Sequence, residues 1–335
     1  MKPTKLSVHV SHFLSHYLAD QRNLSPNTIK AYRDVFVLLL RFCRDERGIT
    51  IERLKLEQID VQLVDAFLEH LEKVRHCSIR TLNQRLAVLH AFSRYLQVEE
   101  PTLLLQCQRI LAIPLRRFVR HEVGYLPKDH LAALLAQPDL KRPDGRRDAV
   151  LLSVLYDTGA RVQELIELTA GDVRLEAPAQ VRILGKGRKV RVVPLMENTT
   201  RLLQEYIDDS DLALPENYDR PLFRNKFGNQ LTRVGINYIL QKHMQKVQER
   251  YPHLKQKVSP HTLRHTKAMH LVQGGVSLDI VRDFLGHVDI KTTELYARAN
   301  LEMKRAAIEK VSPAPVPNIP SWKENKSLLQ WLQRL

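Results

Sequence analysis

The sequence predicts a two-part, predominantly helical protein: an all-α bundle over residues 1–112 and, over residues 126–312, a mostly helical α+β unit around a small antiparallel sheet. Three observations lead to this. Apolar residues recur at three- and four-residue spacing through the first hundred positions with no strand-like alternation. The period changes at residues 181–194, where two short β-branched runs flank Gly185-Lys186-Gly187. The length of 335 residues exceeds the roughly 100–200 of an ordinary domain, and residues 113–125, with a proline, a glycine and Arg116, Arg117 and Arg120, read as a basic linker or a solvated basic loop.

Taken in order, Val8, Phe13, Leu14, Tyr17 and Leu18 form the first helical stripe. Ser25 as N-cap, Pro26 at the first helical position and Gly48 as the stop predict a helix over 25–47. Helices over 60–74 and 78–97 follow, the last opening at Ser78 with Arg80, Thr81, Asn83, Gln84 and Arg85 ahead of Leu86, Leu89, Phe92 and Leu96. A bundle of about four helices closes such a pattern. Past the linker, Pro127 opens a helix, and Ala149 to Tyr156 form another that ends at Thr158-Gly159. Val181 to Leu184 and Val190 to Pro194 then read as a hairpin, and helices resume over 197–208, 232–250, 261–273, 278–285 and 299–311. Residues 313–335 begin with four prolines, an extended linker, and end in an amphipathic helix that holds Trp322 and Trp331, the two tryptophans of the chain. That helix either folds back on its own domain or docks on a neighbouring molecule.

Composition narrows the partners. Net charge is +15, divided as +6 over residues 1–118, +7 over 119–312 and +2 over 313–335, so both halves attract polyanions. Nucleic acid leads. An anionic membrane comes second, since no apolar run approaches the ~20 residues of a spanning helix and MKPTKLSVHV lacks a signal-peptide core. A soluble, cytoplasmic chain is the expectation. Cys43, Cys77 and Cys107 are odd in number, widely spaced and outside any zinc-type cluster, which predicts reduced core residues and no metal site.

Groups able to move a phosphodiester recur in the second half. His261-Thr262-Leu263-Arg264-His265 opens a predicted helix, Thr158-Gly159-Ala160-Arg161 ends another with Glu164 one turn on, and Leu285-Gly286-His287 ends a third, nine residues before Tyr296. Each element alone has an ordinary structural explanation: Arg161 and Glu164 as a surface i,i+3 pair, His265 and His270 as packing residues, Tyr296 as a packing aromatic. Together they supply what metal-free phosphoryl transfer needs. Guanidiniums match non-bridging oxygens, a tyrosine serves as nucleophile once a base or positive field assists it, and a turn lysine can protonate an alkoxide.

In that order the motifs TGAR with Glu164, GKG, HTLRH, LGH and the following tyrosine resemble the tyrosine recombinases, the phage-integrase type, with Xer and transposon-encoded enzymes nearest in layout. The resemblance spans residues 5–312, since SPNTIKAYRDV and SIRTLNQRLAVLHAFSRYL are similar to that family's SAM-like core-binding domain. It implies that Arg161 and Arg264 hold the scissile phosphate, that Tyr296 forms a 3′-phosphotyrosine, and that Lys186 protonates the departing 5′ oxygen. It further implies proton transfer by His261, a phosphate hydrogen bond from His287, and support of the first arginine by Glu164. The second motif departs from the commonest form in continuing as RHTKAMHL, which points away from the housekeeping Xer enzymes.

The function implied is site-specific recombination of double-stranded DNA, for integration or excision of a mobile element, by two domains forming half-clamps on one duplex. The working unit is a homotetramer on DNA, joined through residues 299–335, with accessory recombinases as further partners. No cofactor is required, because bond energy is kept in the phosphotyrosine. Arg80 and Gln84 are the candidates for base edges, while Thr28, Arg85, Arg116, Arg117, Arg188 and Lys189 suit phosphate. Chromosome-dimer resolution of the Xer type, a type IB topoisomerase, and a DNA-binding regulator without cleavage are the competing readings.

Overall fold

Thr4 starts the first helix, α1 (Lys5–His12), by accepting the Ser7 N–H on its hydroxyl at 3.1 Å. This computed structural model describes residues 4–118, 124–185, 187, 189–252, 254, 257–286 and 332. The chain divides into two compact units, 1–120 and 121–335.

In the first unit the chain continues from α1 into a wider π-type turn, Phe13–Gln21, and then α2 (Pro26–Asp45), α3 (Val61–Lys73), α4 (Ile79–Glu99) and α5 (Leu104–Leu111). Two of the caps, Ser25 and Ser78, are those the sequence indicates, and Asp60 is a third. Ser25 accepts from the Thr28 N–H, Asp60 from Leu63 and Ser78 from Thr81. An aromatic cluster centres the bundle, with the Phe13 and Phe92 rings 5.2 Å apart and Phe36 and Phe92 5.0 Å apart, both edge to face. Leu39, Val64, Phe67 and Leu89 fill the rest. Cys43 and Cys107 are buried as predicted, whereas Cys77 is only half-buried, and all three are free thiols. α5 lies past the last helix that the sequence indicates in this unit, over 78–97, and packs against α4.

The second unit runs α6 (Lys128–Leu135), α7 (Pro143–Thr158), α8 (Val162–Glu167), β1 (Val173–Arg174), β2 (Gln180–Leu184) and β3 (Val190–Pro194). After these come α9 (Glu197–Asp209), α10 (Arg233–Arg250), α11 (Pro260–Gln273) and α12 (Leu278–Leu285). The strands form an antiparallel sheet in the order β1-β2-β3, with Val181 opposite Val193 and Ile183 opposite Arg191. Val181, Ile183 and Val193 face a core shared with Leu151, Leu155, Leu165, Phe223 and Leu263. α7 is the central helix, buried along most of its length.

Two differences from the sequence reading concern this unit. The two-residue strand β1 is too short to leave a pattern. α7 begins at Pro143 rather than Ala149, because Asp148, fully buried, accepts hydrogen bonds from Arg147 at 2.6 Å and His243 at 3.0 Å, which brings a polar stretch into the helix. The predicted helix over 299–311 and the tail 313–335 lie outside the described residues apart from Leu332. Among the described residues no helix is long and apolar enough to cross a membrane.

Candidate active site

The site is built where three helix ends meet. α7 stops at Thr158, whose hydroxyl donates to the Val154 carbonyl at 2.6 Å and accepts the Ala160 N–H at 3.2 Å. Gly159 then takes a left-handed conformation with φ of 55°, and a Cβ there would stand 2.8 Å from Leu285 Cδ2. Gly159→Ala is therefore expected to lower stability by about 1–2 kcal/mol from backbone strain alone, read as a reduced urea midpoint with unchanged slope. This turn delivers Arg161 to the start of α8.

Glu164, one turn on, is the hub. Its Oε2 accepts the Arg161 N–H at 2.8 Å and the Arg191 Nη2 at 2.7 Å, while Oε1 accepts Arg161 Nη1 at 2.6 Å. With 6% of Glu164 exposed, the surface-pair explanation of Arg161 and Glu164 does not hold. Burial pushes the carboxyl upward, but the hydrogen bonds from Arg191 and from the Arg161 N–H, with the Arg191 charge, outweigh it and hold it below the usual glutamate range.

Arg264 comes from α11, which opens with Ser259 accepting the Thr262 N–H and Pro260 in the first turn. Its guanidinium is 1% exposed and donates to the carbonyls of Gly159 and Leu285, each at 2.6 Å, with Nη1 4.0 Å from Glu164 Oε2. Those carbonyls are the C-terminal ends of α7 and α12, where a cation is favoured. Arg161 Nη2 also donates to Gly286, the left-handed cap of α12, at 3.3 Å. The structure thus brings Arg161, Glu164 and Arg264 together, and adds Arg191.

His261 is exposed in the first turn of α11, its ring edge to face with His265 at 4.2 Å. Burial, with the charges of His261 and Arg264, pushes the His265 imidazole down to about 4, so it is neutral at pH 7. The residues that depart from the family motif bind α11 to α7: Lys267 lies 3.7 Å from Asp157 and over the Tyr156 ring, and His270 Nδ1 is 2.9 Å from the Tyr156 hydroxyl. Lys189 is exposed at the hairpin end, its carbonyl accepting the Gly185 N–H at 2.8 Å. Lys186, Arg188, His287 and Tyr296 lie outside the described residues.

In the first unit Arg80 and Gln84 are exposed one turn apart on α4, with Arg85 half-buried beside them. The Thr28 hydroxyl is engaged with Ser25 at 2.9 Å. Arg116 is pinned: its backbone exchanges hydrogen bonds with the Asn83 amide at 2.8 and 2.9 Å, and its guanidinium pairs with Glu72 at 2.6 Å. Arg117, next to it, is exposed.

Arg191 is the residue that sequence reasoning missed. The available signal was a charged side chain at an inward position of β3, between the outward-facing Val190 and Val192.

Comparison with known proteins shows the family of the chain. The profile described as "Phage integrase family" matches residues 124–303, and "Phage integrase, N-terminal SAM-like domain" matches residues 12–100. A Sinorhizobium fredii protein named as an integrase/recombinase, y4rC, is 39% identical over 314 residues, 93% of each chain. Tyrosine recombinase XerC of Pelotomaculum thermopropionicum is 31% identical over 311 residues, 91% of this chain and 98% of its own. Among solved structures, the Tn1549 transposon integrase in complex with transposon right end DNA shares the fold at a TM-score of 0.67, with 19% identity over 91% of this chain and 99% of its own. The site-specific recombinase XerH bound to a palindromic difH substrate does so at 0.66, with 23% identity over 86% and 81%. With both domain profiles matched in order and relatives above 30% identity along nearly their whole length, the chain belongs to the phage integrase family and is a tyrosine recombinase.

Proposed function

We propose that this recombinase cuts and rejoins double-stranded DNA at specific sites through a 3′-phosphotyrosine on Tyr296, serving integration or excision of a mobile element. The observation that carries the reading is the convergence of Arg161 and Arg264 on one buried carboxylate at the ends of α7 and α12. Two guanidiniums held this way can stabilise the charge added to a phosphate in its five-coordinate transition state, and a single such donor is typically worth ~3–4 kcal/mol. Glu164 fixes the first of them. Lys186 would give a proton to the leaving 5′ oxygen, His261 would exchange one with the tyrosine, and His287 would donate to the phosphate.

Arg80 and Gln84 would meet base edges, and Thr28, Arg85, Arg117, Arg188 and Lys189 the backbone phosphates, with Arg116 joining them only if it exchanges Glu72 for phosphate. Residues 1–112 would be the core-binding domain, 113–125 the linker and 126–312 the catalytic domain. Four strand cuts across two duplexes call for a homotetramer on DNA, joined through residues 299–335, working in the cytoplasm. The mobile-element role draws support from the relative named as an integrase/recombinase and from the transposon integrase with the same fold.

A nicked suicide substrate carrying the recombination site tests the chemistry. Wild-type protein should form a covalent protein–DNA adduct, and Tyr296→Phe should bind the same DNA and form none. An adduct from Tyr296→Phe would place the nucleophile elsewhere. Failure of the wild type on DNA that it binds would favour a regulator without cleavage.

A further inference from the structure

Arg191 is a third guanidinium in a cluster that the proposed chemistry accounts for with two. It stands opposite Ile183 on the inward face of β3, its side chain 11% exposed, and donates through Nη2 to Glu164 Oε2 at 2.7 Å. Two glycines lie close beside it. A Cβ on Gly286 would lie 3.2 Å from its Nη1 and 3.3 Å from its Cδ, and one on Gly185 would lie 3.4 Å from the same Nη1. The guanidinium therefore passes between the base of the hairpin, the α8 carboxylate and the cap of α12, a space that a side chain at 286 would narrow.

The division of Glu164 between its partners gives this position a consequence. A carboxylate facing one arginine prefers the bidentate fork, two parallel N–H···O bonds. Here Arg191 and the Arg161 backbone N–H both occupy Oε2, so the Arg161 guanidinium takes Oε1 through Nη1 alone and reaches the Gly286 carbonyl with Nη2. Without Arg191 one lone pair of Oε2 is freed, and the carboxylate, still held by the Arg161 N–H, could take the Arg161 guanidinium in a fork, drawing it away from Gly286.

We propose that Arg191 is a positioning residue for strand cleavage: by holding one oxygen of Glu164 it keeps Arg161 in a single-bonded grip, oriented for the scissile phosphate. The inference rests on the reading that Arg161 holds that phosphate. A lysine at position 191 retains the charge but not the planar fork, so it should restore part of the function.

The test uses the full chain and nicked substrates that carry either a phosphodiester or a methylphosphonate at the scissile position. The methyl group removes the negative charge that a guanidinium would meet. Arg191→Gln is expected to slow adduct formation on the phosphodiester by roughly 30- to 100-fold with DNA affinity within about twofold of wild type, because the lost interaction acts in the transition state. Arg191→Lys should recover part of the rate, and on the methylphosphonate the loss should shrink to below about fivefold. An equal loss on both substrates, accompanied by a lower urea midpoint, would reduce Arg191 to a structural residue, and an unchanged rate would overturn the proposal outright. Arg161→Ala run in parallel separates the two readings. If its own defect persists undiminished on the methylphosphonate, the assignment of Arg161 to the phosphate fails and this inference with it; if only the Arg191 variants fail to respond, this inference alone is lost.

Discussion

Arg264→Ala is expected to remove about 3–5 kcal/mol of stability and all detectable adduct formation. The side chain is 1% exposed and bonds two buried carbonyls at 2.6 Å. Alanine would leave both acceptors without this donor, at about 1–3 kcal/mol each, and open a cavity the size of a guanidinium. Arg264→Lys keeps the charge but offers no rigid fork to span the carbonyls of Gly159 and Leu285, so it should fall between the two. Urea denaturation of the three proteins, with the suicide-substrate assay beside it, measures both effects. A wild-type midpoint for Arg264→Ala would contradict the bonding described here.

Glu164→Gln should cost nearly as much, about 3–5 kcal/mol at pH 7, because it breaks a buried ion pair from one side and leaves Arg161 and Arg191 without their carboxylate. Its pH dependence follows from the lowered carboxyl. A glutamate whose folded value lies below its ordinary 4.5 contributes stability that is fully present above 4.5 and is lost as pH falls through the folded value. Wild type and variant should therefore differ by a constant amount at neutral and mildly acidic pH and converge only in strong acid. Urea midpoints at pH 7, 5 and 3 test this, and convergence already at pH 5 would show that Glu164 is not held in its charged form by the arginines.

Local chemistry made much of the fold readable. Serine caps at Ser25 and Ser78 are satisfied by neighbours three residues away, so the signal and its structural use lie in the same stretch of chain. The hairpin of β2 and β3 and the whole of α12 were legible for the same reason. The start of α7 was not, since Asp148 looks like a loop residue until His243, ninety-five positions away, supplies its partner. The Phe13–Gln21 turn left no mark either, because its wider winding changes no cap and no spacing that a short window detects. In the site, Arg161, Glu164 and Arg264 were found from ordered motifs. Arg191 was not, because its partner lies on α8 and its packing surface on glycines from two other segments.

Among the described residues one carboxylate stands against three guanidiniums in this cluster, with Arg161 and Arg191 bonded to Glu164 and Arg264 within 4.0 Å of it. The native state gathers positive charge that the unfolded chain would disperse, so part of the folding free energy is spent on self-repulsion. An anion seated among these groups relieves that repulsion and binds only the folded form, which by mass action raises the apparent stability. On the proposed reading of the site, a phosphodiester held there would raise the stability of the second unit as it binds.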